Sequence, residues 1–230
     1  MDNQSEKKSR RNLSELIENS ANDPEQAMVH RKYLMYKEEY VRSFTLTQYM
    51  IQKLRGSLIN SFVPGAVGWT LLYSSEMHGY SLNTLISQAM KGPSRGCFIL
   101  SVIEDLCTQS EYERVFGVVF FEKLRYENSS FGTGDTSLFR FRTPREQNMG
   151  AGPNALLNIY SANTGIEKRM YIMAKREYLA FGCGSGKFGL RLEKTLLQGE
   201  SNAVETFNNE VLSHREKFNI RQIELWHVRT

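Results

Sequence analysis

Side chains able to do chemistry are few in this chain and scattered along it. The four histidines are His30, His78, His214 and His227, with no HxxxH pair and no cysteine at zinc-binding spacing, so neither a metal nor a cofactor is expected. Glu76 and His78 in SSEMHG are the best local acid–base pair. A loop-ordering role is the commoner account of such a pair: an imidazole bonded to a backbone carbonyl, or Glu76 facing the first amides of the next helix. Asp135 and Glu210 are acids at turn positions, where a carboxylate accepts backbone N–H groups and fixes the bend. The three cysteines, Cys97, Cys107 and Cys183, are odd in number and lack CxxC spacing, which argues for a reducing compartment and against a disulfide scaffold. Cys97 opens an apolar strand and reads as core, while Cys107 falls in a loop. Cys183 is the redox candidate: it sits among glycines near Lys187, and a neighbouring cation favours thiolate. The competing reading of Cys183 is a small buried hydrophobe between strands.

The densest signal is the stretch AFGCGSGKFGLRLEKTLLQGES, which begins at Ala180 and holds Gly182, Gly184, Gly186 and Gly189. Residues 184–189 match GxGxxG literally. A dinucleotide site needs a helix after those glycines, and FGLRLE alternates as a strand does. A phosphate loop fails as well, because Phe188 follows Lys187 where Ser or Thr should stand and Phe181 takes the first glycine position. The glycines are therefore expected to form a bend or bulge between two strands.

The elements that position these residues follow from periodicity. Asn12 and Glu15 resemble a capping box, and Asp23-Pro24-Glu25 opens a helix expected to run to about Arg42 with Tyr33, Tyr36 and Tyr40 on one face. A further helix starts near Phe44–Thr47 with Met50, Ile51 and Leu54 on one side, and Gly56 weakens it before the Pro64-Gly65 turn. Trp69–Tyr73 is a buried strand, SSEMHG a polar loop, and Ser81 caps a helix carrying Leu82, Leu85, Ile86, Ala89 and Met90. Strands then dominate. CFILSVI and RVFGVVFFEKL are apolar, SLFRFRT is expected to turn Arg140 and Arg142 to solvent, and residues 143–155 form a loop. LLNIY and KRMYIMA flank SANTG as a hairpin, and FNIRQIELWHV belongs in a sheet interior. Strands in succession with few helices between them predict antiparallel sheets with peripheral helices.

At 230 residues, 40% hydrophobic and 11% aromatic, the chain has the composition of a soluble globular protein with a sizeable core. A net charge of +4 with interspersed signs gives no reason to expect nucleic acid as a partner. Lys7, Lys8, Arg10 and Arg11 form a short basic run that reads first as solvated terminal charge. No apolar run reaches the ~20 residues of a membrane helix and no signal-peptide core opens the chain, so a cytoplasmic protein without direct membrane insertion is expected.

Four blocks, WTLLYSSEMHGYSLNTL, VFGVVFFEKLR, FGTGDTSLFRF and the glycine stretch through TFNNEVLS to IELWHV, resemble the TLDc domain family in order, over residues 45–229. Departures are Asp135 where the family has Glu, Cys183 among the glycines, and an apparent insertion at residues 143–155. The resemblance implies an α+β fold of two antiparallel sheets packed as a sandwich with flanking helices over residues 44–230; residues 1–43 lie outside it and are expected to form an N-terminal extension with a disordered start followed by an amphipathic helix. It also implies a non-enzymatic protein linked to oxidative-stress protection. Such a protein would bind the peripheral, cytosolic sector of the vacuolar-type proton ATPase and regulate its assembly or activity at vacuolar or endolysosomal membranes. On that reading the partner-binding residues are His78, Lys187, Phe188, Asn208, Asn209 and Glu210, which lie on motif-matching segments and are polar or next to bends. A peroxide-sensing protein acting through Cys183 is the alternative. Nucleic-acid binding through the basic run ranks third.

Overall fold

The computed structural model describes residues 33–36, 39–63, 68–105, 112–144, 155–163, 165 and 170–229. The expected helix starts at Asn12 and Pro24, the basic run, the Pro64-Gly65 turn, Cys107 and most of the loop at residues 143–155 lie outside them. Where the helix from Pro24 was to continue, β1 (Tyr33–Tyr36) and β2 (Glu39–Arg42) form an antiparallel pair with Tyr33 opposite Arg42. Tyrosine and valine favour strands, and an aromatic stripe at helical spacing does not register that preference.

Ten further strands form one sheet: β3 (Gly68–Ser74), β4 (Arg95–Glu104), β5 (Tyr112–Glu122), β6 (Ser137–Pro144), β7 (Leu156–Ser161), β8 (Ile172–Ala174), β9 (Tyr178–Gly184), β10 (Lys187–Glu193), β11 (Gln198–Glu200) and β12 (Lys217–Arg229). Their order is β7-β6-β5-β4-β12-β11-β10-β9-β8, with β3 also on β12, and every pairing is antiparallel. Antiparallel strands with few helices are as expected; among the described residues these ten strands form one continuous sheet instead of the two packed sheets expected. The reason is β12, whose 13 residues pair with β11 at their start, with β3 toward their end and with β4 along most of their length. One strand thus joins what would otherwise be two sheets. The predicted interior position of FNIRQIELWHV is correct.

The halves of the sheet share a core. Leu100, Val102, Phe116, Val118 and Phe120 from β4 and β5 are buried in one cluster with Leu179, Phe181, Leu190 and Leu192 from β9 and β10. The Phe120 and Phe181 ring centres are 5.6 Å apart. Full burial of such side chains contributes about 1.5–3 kcal/mol each. Helix α1 (Gln48–Leu54), capped by Thr47, runs on through a π-helical turn at Arg55–Ile59 that contains Gly56. Met50, Ile51, Leu54, Leu58 and Ile59 bury a second cluster against Ile99, Val115, Val119, Phe139, Phe141 and Trp226. SSEMHG supplies a short helix, α2 (Ser75–His78), where a loop was expected. Ser81 caps α3 (Leu82–Lys91) as predicted, its hydroxyl accepting from the Thr84 N–H.

Two expectations about strand neighbours fail. SANTG does not close a hairpin: β7 pairs with β6 and β8 with β9, at opposite ends of the strand order. On β6, Arg140 is only 4% exposed, so the Leu138–Arg140–Arg142 face is not solvated. It points into the shared core with Leu138, and the 201–214 segment covers its polar end.

Candidate partner-binding site

The glycine stretch is a tight hairpin. Lys187 pairs with Gly184, and the two central residues, Ser185 and Gly186, have φ of 51° and 77°, the positive-φ turn that matches strand twist. Gly182 is needed for a different reason. Its φ is 70°, and a Cβ there would sit 2.6 Å from the Phe207 ring. The bend predicted from the glycines is present, and no helix follows it.

Residues 201–214 have no regular structure, and side-chain hydrogen bonds replace a ladder. The Ser201 hydroxyl donates to the Gly189 carbonyl at 2.7 Å and accepts from the Leu212 N–H at 2.9 Å. The Asn202 N–H donates to the Phe188 carbonyl at 2.9 Å. Thr206 bonds both main-chain groups of Cys183, donating to its carbonyl and accepting from its N–H at 2.7 and 3.1 Å. Asn209, 3% exposed, donates to the carbonyls of Asn202 and Glu210, both at 2.8 Å. This strap also reaches the other half of the sheet. Arg140 donates to the Val211 carbonyl at 2.6 Å and to Glu210 at 2.7 Å, Arg114 donates to the Ser213 carbonyl, and Glu104 accepts from the His214 N–H and holds its ring Nδ1 at 2.8 Å.

Of the six expected partner-binding residues and Cys183, the structure brings all but His78 together. Cys183, Phe188, Asn208, Asn209 and Glu210 lie on the strap or directly under it. Asn208 is exposed at φ 47° and Glu210 is exposed with its carboxylate on Arg140, whereas Asn209 is part of the scaffold. Phe188 packs its ring near Tyr178, at 5.5 Å between centres. Lys187 stands at the same hairpin, more than half exposed, 3.5 Å from Glu216. His78 lies elsewhere. It ends α2, stacks on Tyr73 and exchanges a 3.2 Å contact with the Ser74 main chain, while Glu76 accepts from Gln222. The loop-ordering reading of that pair is the one the geometry matches.

Electrostatics separate Cys183 from Glu210. Burial raises the Cys183 thiol above its ordinary value. Lys187, the cation expected to activate it, is engaged with Glu216. Glu210 moves the other way: the hydrogen bond from Arg140, and then its charge, hold the carboxyl below the usual glutamate range.

Two polar nodes escaped sequence reasoning. Glu224, fully buried on β12, accepts from the Ser43 hydroxyl (2.7 Å), the Phe44 N–H (2.8 Å), the Thr45 hydroxyl (2.7 Å) and the Trp226 indole (3.2 Å). It ties the approach to α1 onto the central strand. The other node is the arginine group under the strap. In the sequence its signal is RFR, whose alternation is that of a strand with one solvated face.

An antiparallel β-sheet module with a side-chain-pinned strap over one end is the class this architecture defines. The TLDc domain family model matches residues 41–229, and the chain belongs to that family. It is 34% identical over 165 residues to oxidation resistance protein 1 of Homo sapiens, covering 71% of this chain and 16% of that protein. It is also 34% identical over 158 residues to nuclear receptor coactivator 7 of Gallus gallus, covering 69% of this chain and 15% of that protein. The chain therefore matches only about a sixth of the length of these relatives. No helix among the described residues is long and apolar enough to cross a membrane.

Proposed function

We propose that this chain is a non-enzymatic TLDc protein that binds the cytosolic peripheral sector of the vacuolar-type proton ATPase and regulates its assembly or activity, in the service of resistance to oxidative damage. Family membership supports the oxidation-resistance side of this reading, since relatives carry that name. The observation that supports binding is the strap. Exposed Asn208 and Glu210 and the neighbouring Lys187 are presented by a backbone pinned to both halves of the sheet, and recognition surfaces need such pre-organised loops. The peroxide-sensing alternative has less support, because burial raises the Cys183 thiol and Lys187 faces Glu216.

The test is binding of the purified full chain to the isolated peripheral sector, comparing wild type with the charge-reversed double variant Lys187→Glu/Glu205→Lys. Both side chains are exposed, Lys187 at the β9–β10 hairpin and Glu205 on the strap next to Thr206. Saturable wild-type binding weakened at least about tenfold by the variant is expected, as charge reversal at an interface costs more than 1.4 kcal/mol. Equal affinities would move the interface off the strap, and no binding would remove the ATPase from the account.

A further inference from the structure

On the core-facing side of β5 and β6, at the end covered by the strap, three arginines converge. Arg114 and Arg142 are directly opposite in the register, and Arg140 follows two residues along the same face, opposite Phe116. Like charges facing each other across a strand pair oppose sheet formation unless each finds a partner. Among the described residues two carboxylates reach Arg114 and Arg140. Glu104 is occupied by His214, through its N–H and its ring. Glu210 bonds Arg140 at 2.7 Å, but its own side chain is 72% exposed. The remaining donors are not used up. The Nε of Arg140, the Nε of Arg114 and the hydroxyl of Tyr160 are buried with no partner among the described residues. Tyr160 lies on the same face, opposite Leu138. Buried donors without partners are rare in folded proteins and point to a missing acceptor.

We propose that Arg114, Arg140 and Tyr160 form a receptor for the carboxylate of an acidic segment on a partner protein, and that Glu210 is the resident carboxylate such a segment displaces. The geometry supports displacement specifically. Arg140 is 4% exposed, yet a side chain standing mostly in solvent already reaches its guanidinium, so the route for an incoming carboxylate exists. Guanidinium groups are suited to this task because their planar fork takes a carboxylate with two parallel bonds. An exchange of one carboxylate for another leaves the charge of the site unchanged and frees the Glu210 side chain, while the strap stays pinned by its other bonds. The proposal does not depend on which protein supplies the acidic segment.

The experiment titrates the full chain, wild type and Glu210→Ala, with a hexaglutamate peptide and separately with inorganic phosphate. Heat is measured for affinity and the arginine Nε–H resonances by NMR for location. Removing the resident carboxylate should tighten hexaglutamate binding about tenfold, the worth of one charge-assisted bond. Arg114 and Arg140 Nε–H signals should shift on saturation, and phosphate should compete with the peptide. Tyr160→Phe, which removes one of the unpartnered donors, should then weaken peptide binding; should it fail to fold, the Nε–H shifts carry the result alone. Peptide affinity unchanged in Glu210→Ala, or binding that leaves those resonances in place, would overturn the proposal. So would phosphate binding without peptide binding, which would make the site a receptor for a small free anion. The absence of any response in both proteins would leave the donors to ordered water and end the proposal, with ATPase binding through the strap untouched.

Discussion

Glu224 and Glu210 are both carboxylates that hold an irregular segment against the sheet, and they do it in opposite ways. Glu224 is fully buried and saturated by donors from Ser43, Phe44, Thr45 and Trp226, on the face packed against α1. Glu210 stands mostly in solvent, makes its bond to one buried arginine, and leaves unpartnered donors beneath it. A saturated buried node fixes structure and has nothing left to offer. A node with an exposed carboxylate over spare donors can exchange partners at small cost to the fold.

That contrast sets the order of expected effects. Glu224→Ala should be the most damaging change, orphaning several buried donors at about 1–3 kcal/mol each and lowering stability by about 3 kcal/mol or more in urea denaturation. A loss below about 1 kcal/mol would mean the node is not closed. Within the strap, Asn209→Ala should cost about 2 kcal/mol, since the Asn202 and Glu210 carbonyls lose their donor. Gly182→Ala should cost a similar amount, about 1–3 kcal/mol, because φ of 70° and the Phe207 ring both exclude a Cβ. By contrast, Glu210→Ala should cost only about 1 kcal/mol, the loss of a single charge-assisted bond whose carboxylate stands mostly in solvent.

Acid sharpens the comparison further. The Glu210 carboxyl is depressed in the folded state by Arg140, so its contribution is complete above the unfolded value of about 4.3 and disappears as pH falls through the lower folded value. His227 also has a lowered folded value, chiefly through burial, with Gly96 leaving room for its ring. Its neutral form supports the fold above about pH 6.5, and that support is lost as pH falls through the folded value. A stability profile from pH 7.5 to 5 should therefore decline, and His227→Gln should flatten that decline. A profile identical in the variant would assign it to other groups. The smallest effect is expected at Cys183. With its thiol raised by burial, Cys183→Ser should leave peroxide protection in cells unchanged, and loss of protection would revive the redox reading.

Much of the fold was legible because it rests on local signals. The Ser81 cap, the apolar alternation of the sheet strands and the glycine hairpin all announce themselves within a few residues. The sheet's continuity was not legible, because it depends on β12 pairing with β11, β3 and β4, segments scattered over the chain. The site was half visible for the same reason. Asn209 and Glu210 sit on a motif and could be singled out, but the arginine they cover looked like the outward face of an amphipathic strand. Nothing local in RFR says that a segment 70 residues away will close over it. Nor does Glu224 in QIELW distinguish itself from a solvated acid until residues 43–45 are placed. His78, singled out by its neighbour Glu76, proves to serve Tyr73 and Ser74.

On the proposed function the strap is the binding surface, and it then governs the affinity of the full chain for the isolated peripheral sector of the proton ATPase. Wild type, Lys187→Glu/Glu205→Lys and His78→Ala should be compared side by side. Saturable binding, weakened at least about tenfold by the strap variant and unchanged by His78→Ala, is the predicted result. Equal binding by all three, or loss only with His78→Ala, would contradict it and place recognition on another face of the sheet.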